Sequence, residues 1–158
     1  MDLMTPRILF FLCLLLAIAR SESISQDHRT FINPGVKLGY RFGENGGLAA
    51  GFEISATRWT PSGYLGLLLS VDHSGKTLRT HLGFEGGRGL LGLAIGPTIA
   101  FRDKTLDYGF NVTPYAGFVI IPYYNFMFLR SFPSEHEVGS FIKFPIQVSG
   151  ERFRSFGG

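Results

Sequence analysis

Three residues of the chain have the types that a hydrolytic triad uses. His81 and Glu85 lie four positions apart in one segment, and Ser70 lies in the segment before it. A serine nucleophile, a histidine base and a carboxylate that orients the base are the groups that acyl transfer needs. Residue types alone do not bring these groups together, and a histidine among charged neighbours is more often structural. We therefore predict no catalytic residues and no enzyme activity, and keep a lipid-modifying enzyme as an alternative.

Metal and cofactor chemistry has less support in the sequence. The four histidines lie far apart and Cys13 is the only cysteine, so the ligand spacing of a zinc site is missing. Residues 86–89 form a glycine-rich turn, but no Lys-Ser or Lys-Thr follows it and the next segment has a strand pattern, unlike a phosphate-binding loop. The net charge of +3 comes from scattered Lys and Arg residues, which argues against nucleic-acid binding. We expect no metal, no cofactor and no nucleic-acid partner.

The N-terminus predicts export. Arg7 precedes an apolar run over residues 8–19, which is shorter than the roughly 20 residues that a membrane-spanning helix requires. Such a run fits the apolar region of a secretory signal, and Ala17 and Ala19 supply the small-x-small pattern of a cleavage site. We predict a signal peptide over residues 1–19. Because Cys13 falls inside it, the mature chain would contain no disulfide.

Clusters of turn residues divide the mature chain into short apolar segments. Residues 20–34 are polar and aperiodic, and are predicted to be a flexible leader. Beyond them, turn clusters such as 43–47 and 133–137 separate segments that are typical of strands. One more break is placed at residues 122–125, because the uncharged run over 108–129 is too long for one strand. The eight predicted strands are 35–42, 48–58, 64–72, 77–85, 90–102, 108–121, 124–132 and 139–148.

The predicted strands carry different residue types on their two faces, because successive side chains point to opposite sides. One face is bulky and apolar, as with Leu65, Leu67 and Leu69, and the other mixes Gly, Ala, hydroxyl groups and charges of both signs. No segment shows a sustained helical period, so the predicted class is all-β. Opposite charges on the mixed face can pair across strands. The expected charge network consists of Lys37, Arg41, Glu53, Arg79, His81, Glu85, Arg102 and Lys143.

Two barrel architectures fit this alternation. A soluble barrel would enclose the bulky face around an apolar ligand, whereas a membrane barrel would turn that face to lipid and fill its lumen with the mixed face. Long uncharged stretches, and aromatic residues near strand ends, favour the membrane barrel. Trp59 and Tyr64 fall on the lumenal side, so a bulge or a shifted boundary is expected there. The predicted fold is an antiparallel, up-and-down transmembrane β-barrel of about eight strands with a plugged polar lumen, and the soluble barrel is the alternative.

The signal, the alternating strands, the glycine-bearing lumenal face and the aromatic rims together resemble the small outer-membrane β-barrel proteins of Gram-negative bacteria. The resemblance covers residues 35–153, the predicted barrel domain, and is one of pattern. Such proteins commonly end their last strand in an aromatic residue, for which Phe153 is available before a tail over residues 154–158. The resemblance implies a monomer in the outer membrane with a structural or other envelope role. Its expected partners are membrane lipid and the outer-membrane assembly machinery.

Overall fold

The computed structural model describes residues 28–43 and 46–149. The predicted signal peptide, most of the predicted leader, Phe153 at the predicted end of the barrel domain, and the predicted tail lie outside these residues. Every regular element within them is a strand. No helix in the described part of the chain is long and apolar enough to cross a membrane.

The strands form one closed sheet. Consecutive strands from β1 to β8 pair antiparallel, and β8 and β9 both pair with β1. The result is an eight-stranded antiparallel barrel with one extra short strand, which confirms the predicted all-β barrel. The strands in the described residues are β1 Arg29–Phe42, β2 Gly47–Thr60, β3 Gly63–Ser74, β4 Thr77–Arg88, β5 Leu91–Arg102, β6 Thr105–Ala116, β7 Ile120–Leu129, β8 Glu135–Lys143 and β9 Ile146–Ser149.

The extra strand β9 continues β8 along the same edge of β1. The register that β8 keeps on β1 extends into β9 as far as Phe31. The ladder is interrupted between them because Pro34 and Pro145 have no N–H to donate. Phe144 still donates its N–H to the carbonyl of Pro34 at 2.9 Å. β8 and β9 therefore act as a single closing strand with a proline break.

Several strand boundaries differ from the sequence prediction, and two of the differences concern β1 and the turn after β6. β1 begins at Arg29, opposite Trp59 of β2, so residues 29–34 of the predicted leader belong to the barrel. The turn between β6 and β7 lies at residues 117–119, and the predicted break at 122–125 is wrong. Gly117 provides the turn, since its φ of 130° is one that glycine adopts without a Cβ clash.

The barrel is apolar outside and polar inside. On the outer face, Leu48 and Phe52 are 80% and 72% exposed, whereas Arg41 and Arg79 on the inner face are 0% and 1% exposed. The bulky face of the sequence pattern is therefore the outer one. The buried apolar cluster in the described residues is small and consists of Leu68, Ala94, Tyr115, Ile121, Tyr123 and Phe141.

Trp59 and Tyr64 lie at the end of the barrel where β1 begins, which we call the proximal end; the opposite end is the distal end. The pairing of β2 with β3 is unbroken from Ala49 to Thr60, so the expected bulge is wrong. β2 ends at Thr60, two residues beyond its predicted end, but this longer strand keeps Trp59 on the lumenal side. Both aromatic side chains keep the inward direction that their positions dictate. The Tyr64 hydroxyl donates to the hydroxyl of Tyr115 at 3.0 Å inside the barrel.

Candidate functional site

Asp72 on β3 binds three cationic side chains in the lumen. Its Oδ2 accepts a hydrogen bond from Lys37 Nζ at 2.8 Å. Its Oδ1 accepts from Arg41 at 3.0 Å and from two nitrogens of Arg79 at 2.6 and 2.8 Å. Gly51 stands between Lys37 and Asp72 in the register of β1, β2 and β3. Because this position has no side chain, the lysine reaches across β2 to the carboxylate.

Glu137 on β8 is bound by the same cations from the other side of the lumen. Lys37 Nζ lies 2.8 Å from its Oε1, and Arg79 contacts its Oε2 directly. The hydroxyl of Tyr123 donates to Oε1 at 2.6 Å. Arg41 lies 3.5 Å from Oε2. Lys37 and Arg79 therefore bridge β3 and β8 across the lumen.

Glu135 extends this group towards the distal end. It accepts a hydrogen bond from Arg102, and its Oε2 lies 3.5 Å from Arg41 Nε. Arg102 also donates from Nε to the hydroxyl of Thr77 at 2.8 Å. We call the whole group the distal cluster. It consists of Lys37, Arg41, Asp72, Arg79, Arg102, Glu135 and Glu137.

A second group, the proximal cluster, surrounds Lys143 of β8. Lys143 Nζ lies 2.5 Å from Glu53 Oε1 and 3.2 Å from Glu85 Oε2. Tyr115 donates its hydroxyl hydrogen to Glu85 Oε2 at 3.1 Å and accepts one from Tyr64. These five residues form the proximal cluster. Its three charged groups are at most 8% exposed.

The two clusters balance each other in formal charge. The distal cluster has four cationic and three anionic groups, and the proximal cluster has one cationic and two anionic groups. Between them lies a space of about 10 Å³, lined by residues that include His81, Asn125 and Lys37. That volume is about the size needed for one water molecule. The middle of the lumen is therefore filled by side chains.

His81, the candidate base of the triad, faces this space but is not joined to the other triad residues. Its Nδ1 contacts the carbonyl oxygen of Pro97 at 3.0 Å, and its Nε2 has no hydrogen-bond partner in the described residues. Ser70 lies directly opposite His81 in the register of β3 and β4. Glu85 is bound by Lys143 and Tyr115 instead. The three side chains share one region of the lumen without forming a hydrogen-bonded triad among the described residues.

All eight residues of the expected network point into the barrel, and seven of them form ion pairs there. Three carboxylates were not among them. Asp72 could have been included from the sequence, since the alternation of β3 places it on the inward face. Glu135 and Glu137 fall in the cluster at 133–137 that was predicted as a turn, whereas the structure begins β8 at Glu135. Polar residues are typical of turns, so the sequence did not predict that β8 begins in this cluster with acidic side chains pointing inward.

Tyr123 occupies its place because two glycines leave room for it. Gly39 of β1 and Gly139 of β8 lie opposite each other. A Cβ added to either glycine would lie 2.6 Å from the Tyr123 hydroxyl oxygen. The ring also stacks on Phe141 with 4.3 Å between centroids. The two glycines therefore leave the space through which the Tyr123 hydroxyl reaches Glu137.

Removing the Tyr123 hydroxyl is expected to destabilise the barrel. Tyr123→Phe leaves one oxygen of a buried carboxylate without its neutral donor, and hydrogen bonds to charged groups contribute about 1.5–3 kcal/mol. The matched control is Tyr124→Phe, because Tyr124 is the next residue and points outward. Urea unfolding in detergent micelles measures both. Equal midpoints for the two variants would contradict a stabilising role for the Tyr123 hydroxyl.

Comparisons with protein-family models, curated proteins and solved structures find no match to the chain. Among residues 28–43 and 46–149, no three His, Cys, Asp or Glu side chains are grouped so that they could hold a metal ion. The outer surface and the lumen of the barrel are therefore the features that bear on function.

Proposed function

We propose that this chain is a small outer-membrane β-barrel protein with a closed polar lumen and a structural role in the cell envelope. The observation that carries the proposal is the direction of the side chains. Large apolar side chains such as Leu48, Phe52 and Leu67 cover the outer surface, and ion pairs fill the interior. Exposed apolar area on this scale needs an apolar environment, since soluble monomers rarely expose patches above a few hundred Å².

The dimensions of the barrel support a membrane location. Strands β1 to β8 have 9 to 14 residues, and about 9–11 residues are needed to cross the hydrocarbon at a tilt. Closure of the sheet also satisfies the backbone groups of the β1 and β8 edges, which a lipid environment demands. Membrane lipid and the outer-membrane assembly machinery are the partners that this proposal implies.

A structural role is favoured over transport because the lumen is filled. Eight strands give an interior that side chains can fill. The two charge clusters occupy it from Glu135 near the distal end to Glu85 near the proximal end. We therefore propose a lumen without a continuous aqueous path from one end of the barrel to the other.

The two alternatives receive no support from the geometry. A soluble barrel that binds an apolar ligand in its core needs the Leu, Ile and Phe face inside, and residues such as Leu67 and Phe84 point outward. A lipid-modifying enzyme built on His81 needs a hydrogen bond from His81 to Ser70 or Glu85. The Nδ1 of His81 instead contacts the carbonyl oxygen of Pro97.

Fractionation of cells that express the full chain tests the proposal. We expect the protein in the outer-membrane fraction, released by detergent and not by high salt or carbonate. Planar bilayers that contain the purified protein are expected to stay electrically silent. Recovery in the soluble fraction without detergent would contradict the membrane location, and steady single-channel conductance would contradict the closed lumen.

A further inference from the structure

A cavity of about 600 Å³ opens at the proximal end of the barrel, and one side of it is an aromatic wall. Trp59 is at the centre of this wall. Its ring stacks on Tyr64 with 4.6 Å between centroids, and Phe118 and Phe31 meet it edge-on at 6.0 and 6.2 Å. The charged residues of the lining carry both signs and are Arg29, Glu85 and Lys143. Covering the aromatic wall is favourable, so the cavity suits an apolar occupant whatever its charge.

The end of β9 brings the chain to the mouth of this cavity. β9 ends at Ser149, which pairs with the start of β1, and Gln147 two residues earlier lines the cavity. Residues 150–158 follow outside the described residues, and we call them the C-terminal segment. Phe153 and Phe156 are four and seven residues beyond Ser149, so an extended chain reaches at most about 14 and 25 Å from it. Both side chains are therefore within reach of the aromatic wall.

We propose that the C-terminal segment folds back into the proximal cavity and closes it, with Phe153 and Phe156 packed against the aromatic wall. Gly150 follows β9 directly, at the point where the chain has to reverse, and glycine adopts turn conformations without a steric cost. The cavity has room for two phenyl rings, since it is as large as sites of roughly 300–1,000 Å³ that hold small molecules. Offset or edge-on aromatic pairs add stabilisation beyond the buried area.

Attachment to β9 favours this segment over a free ligand of the same chemistry. A segment joined to its site by a short connection has an effective concentration on the order of millimolar there. Residues 20–27 also lead to the proximal end, because β1 begins there, but their one large apolar residue is Ile24 and none is aromatic. The C-terminal segment is therefore the part of the chain that suits the aromatic wall. This inference goes beyond the structural role proposed above and does not depend on it.

The fluorescence of Trp59 tests whether the cavity is closed, because Trp59 is the single tryptophan of the chain and lies in the aromatic wall. In protein folded in micelles, we expect acrylamide to quench Trp59 weakly. Truncation after Ser149 removes the C-terminal segment and exposes the wall to water. We expect it to increase the quenching severalfold and to shift the emission to longer wavelengths.

Two double variants of the full chain test which side chains close the cavity. Phe153→Ser with Phe156→Ser is expected to give the strong quenching of the truncated protein. The matched control is Arg152→Ser with Arg154→Ser, which changes neighbouring residues of the same segment and is expected to keep the weak quenching. Circular dichroism of every variant establishes that the barrel is folded.

Cross-linking locates the C-terminal segment without removing its aromatic residues. Cys13→Ser removes the only native thiol, and Ser155→Cys is then combined with Gln147→Cys inside the cavity or with Ser62→Cys in an exposed proximal turn. We expect a short bismaleimide to join position 155 to position 147 in high yield and to position 62 in low yield.

Three results would each overturn the proposal. One is equal quenching of Trp59 in the full and truncated proteins. Another is weak quenching that survives the loss of both phenylalanines. The third is a cross-link from position 155 to the exposed turn that forms as readily as the one to the cavity, which would place the C-terminal segment outside the barrel.

Discussion

Asp72→Ala is expected to lower the free energy of unfolding by about 3–5 kcal/mol, the cost of leaving buried charges without their partner. Asp72 accepts hydrogen bonds from Lys37, Arg41 and Arg79, all of them buried. Without it, the distal cluster keeps four cationic groups and only Glu135 and Glu137 to compensate them. Urea unfolding in micelles measures the loss.

The control for Asp72 is an ion pair on the surface. Lys76 and Asp103 approach to 4.0 Å in the distal turns, and both are largely exposed. Lys76→Ala is expected to change the stability by no more than about 0.5–1 kcal/mol, because exposed pairs are screened by water. The double variant Asp72→Ala with Arg79→Ala should lose less than the sum of the two single losses, since the two side chains are in contact. An unchanged midpoint for Asp72→Ala would mean that water compensates the lumenal charges.

The second large effect is expected at Leu67, which lies on the outer face and is 53% exposed. Leu67→Arg should cost about 2–4 kcal/mol of folding free energy in a bilayer if this position faces the hydrocarbon near its midplane. Leu67→Ala should cost much less, because no packed core is opened there. Folding into lipid vesicles, followed by equilibrium unfolding in urea, measures both.

Leu68 is the matched control, since it follows Leu67 in β3 and points into the small apolar cluster of the lumen. Leu68→Ala should cost about 2–5 kcal/mol, as for other core leucines. The ranking of the two alanine variants thus separates the two faces. A larger loss for Leu67→Ala than for Leu68→Ala, in protein that needs no detergent, would support a soluble barrel.

Alternation was sufficient to predict much of the fold. Leu65, Leu67 and Leu69 share one face whatever the partner strands are, because the side-chain direction has a period of two. The same rule placed Trp59 and Tyr64 on the lumenal side, and the error was to assume a bulge that would turn them to the outer face. The strand ends could be predicted less well than the faces. The break was placed at Pro122, whereas the turn after β6 is made by Gly117 and Pro122 lies inside β7.

The partners of the lumenal charges could not be predicted from the same pattern. Arg79 and Glu137 are 58 residues apart, and they meet only because the closed barrel brings β4 and β8 across the lumen from each other. Cross-strand neighbours such as Asp72 and Arg79 need only a hairpin register. Contacts across the lumen also require the strand number and the stagger of the whole barrel, which are linked properties of a closed sheet.

The proposal that the outer face of the barrel meets lipid is tested most directly by spin labels along β5. The only cysteine is Cys13, inside the predicted signal, so single cysteines can be introduced into a chain that otherwise lacks thiols. Leu93, Ile95 and Ile99 point outward, and Ala94 and Ala100 point inward. In lipid bilayers, labels at the three outward positions are expected to collide readily with oxygen and rarely with a water-soluble nickel complex, and labels at the two inward positions should reach neither freely. Outward labels that meet the nickel complex as readily as oxygen would contradict a lipid-facing outer surface.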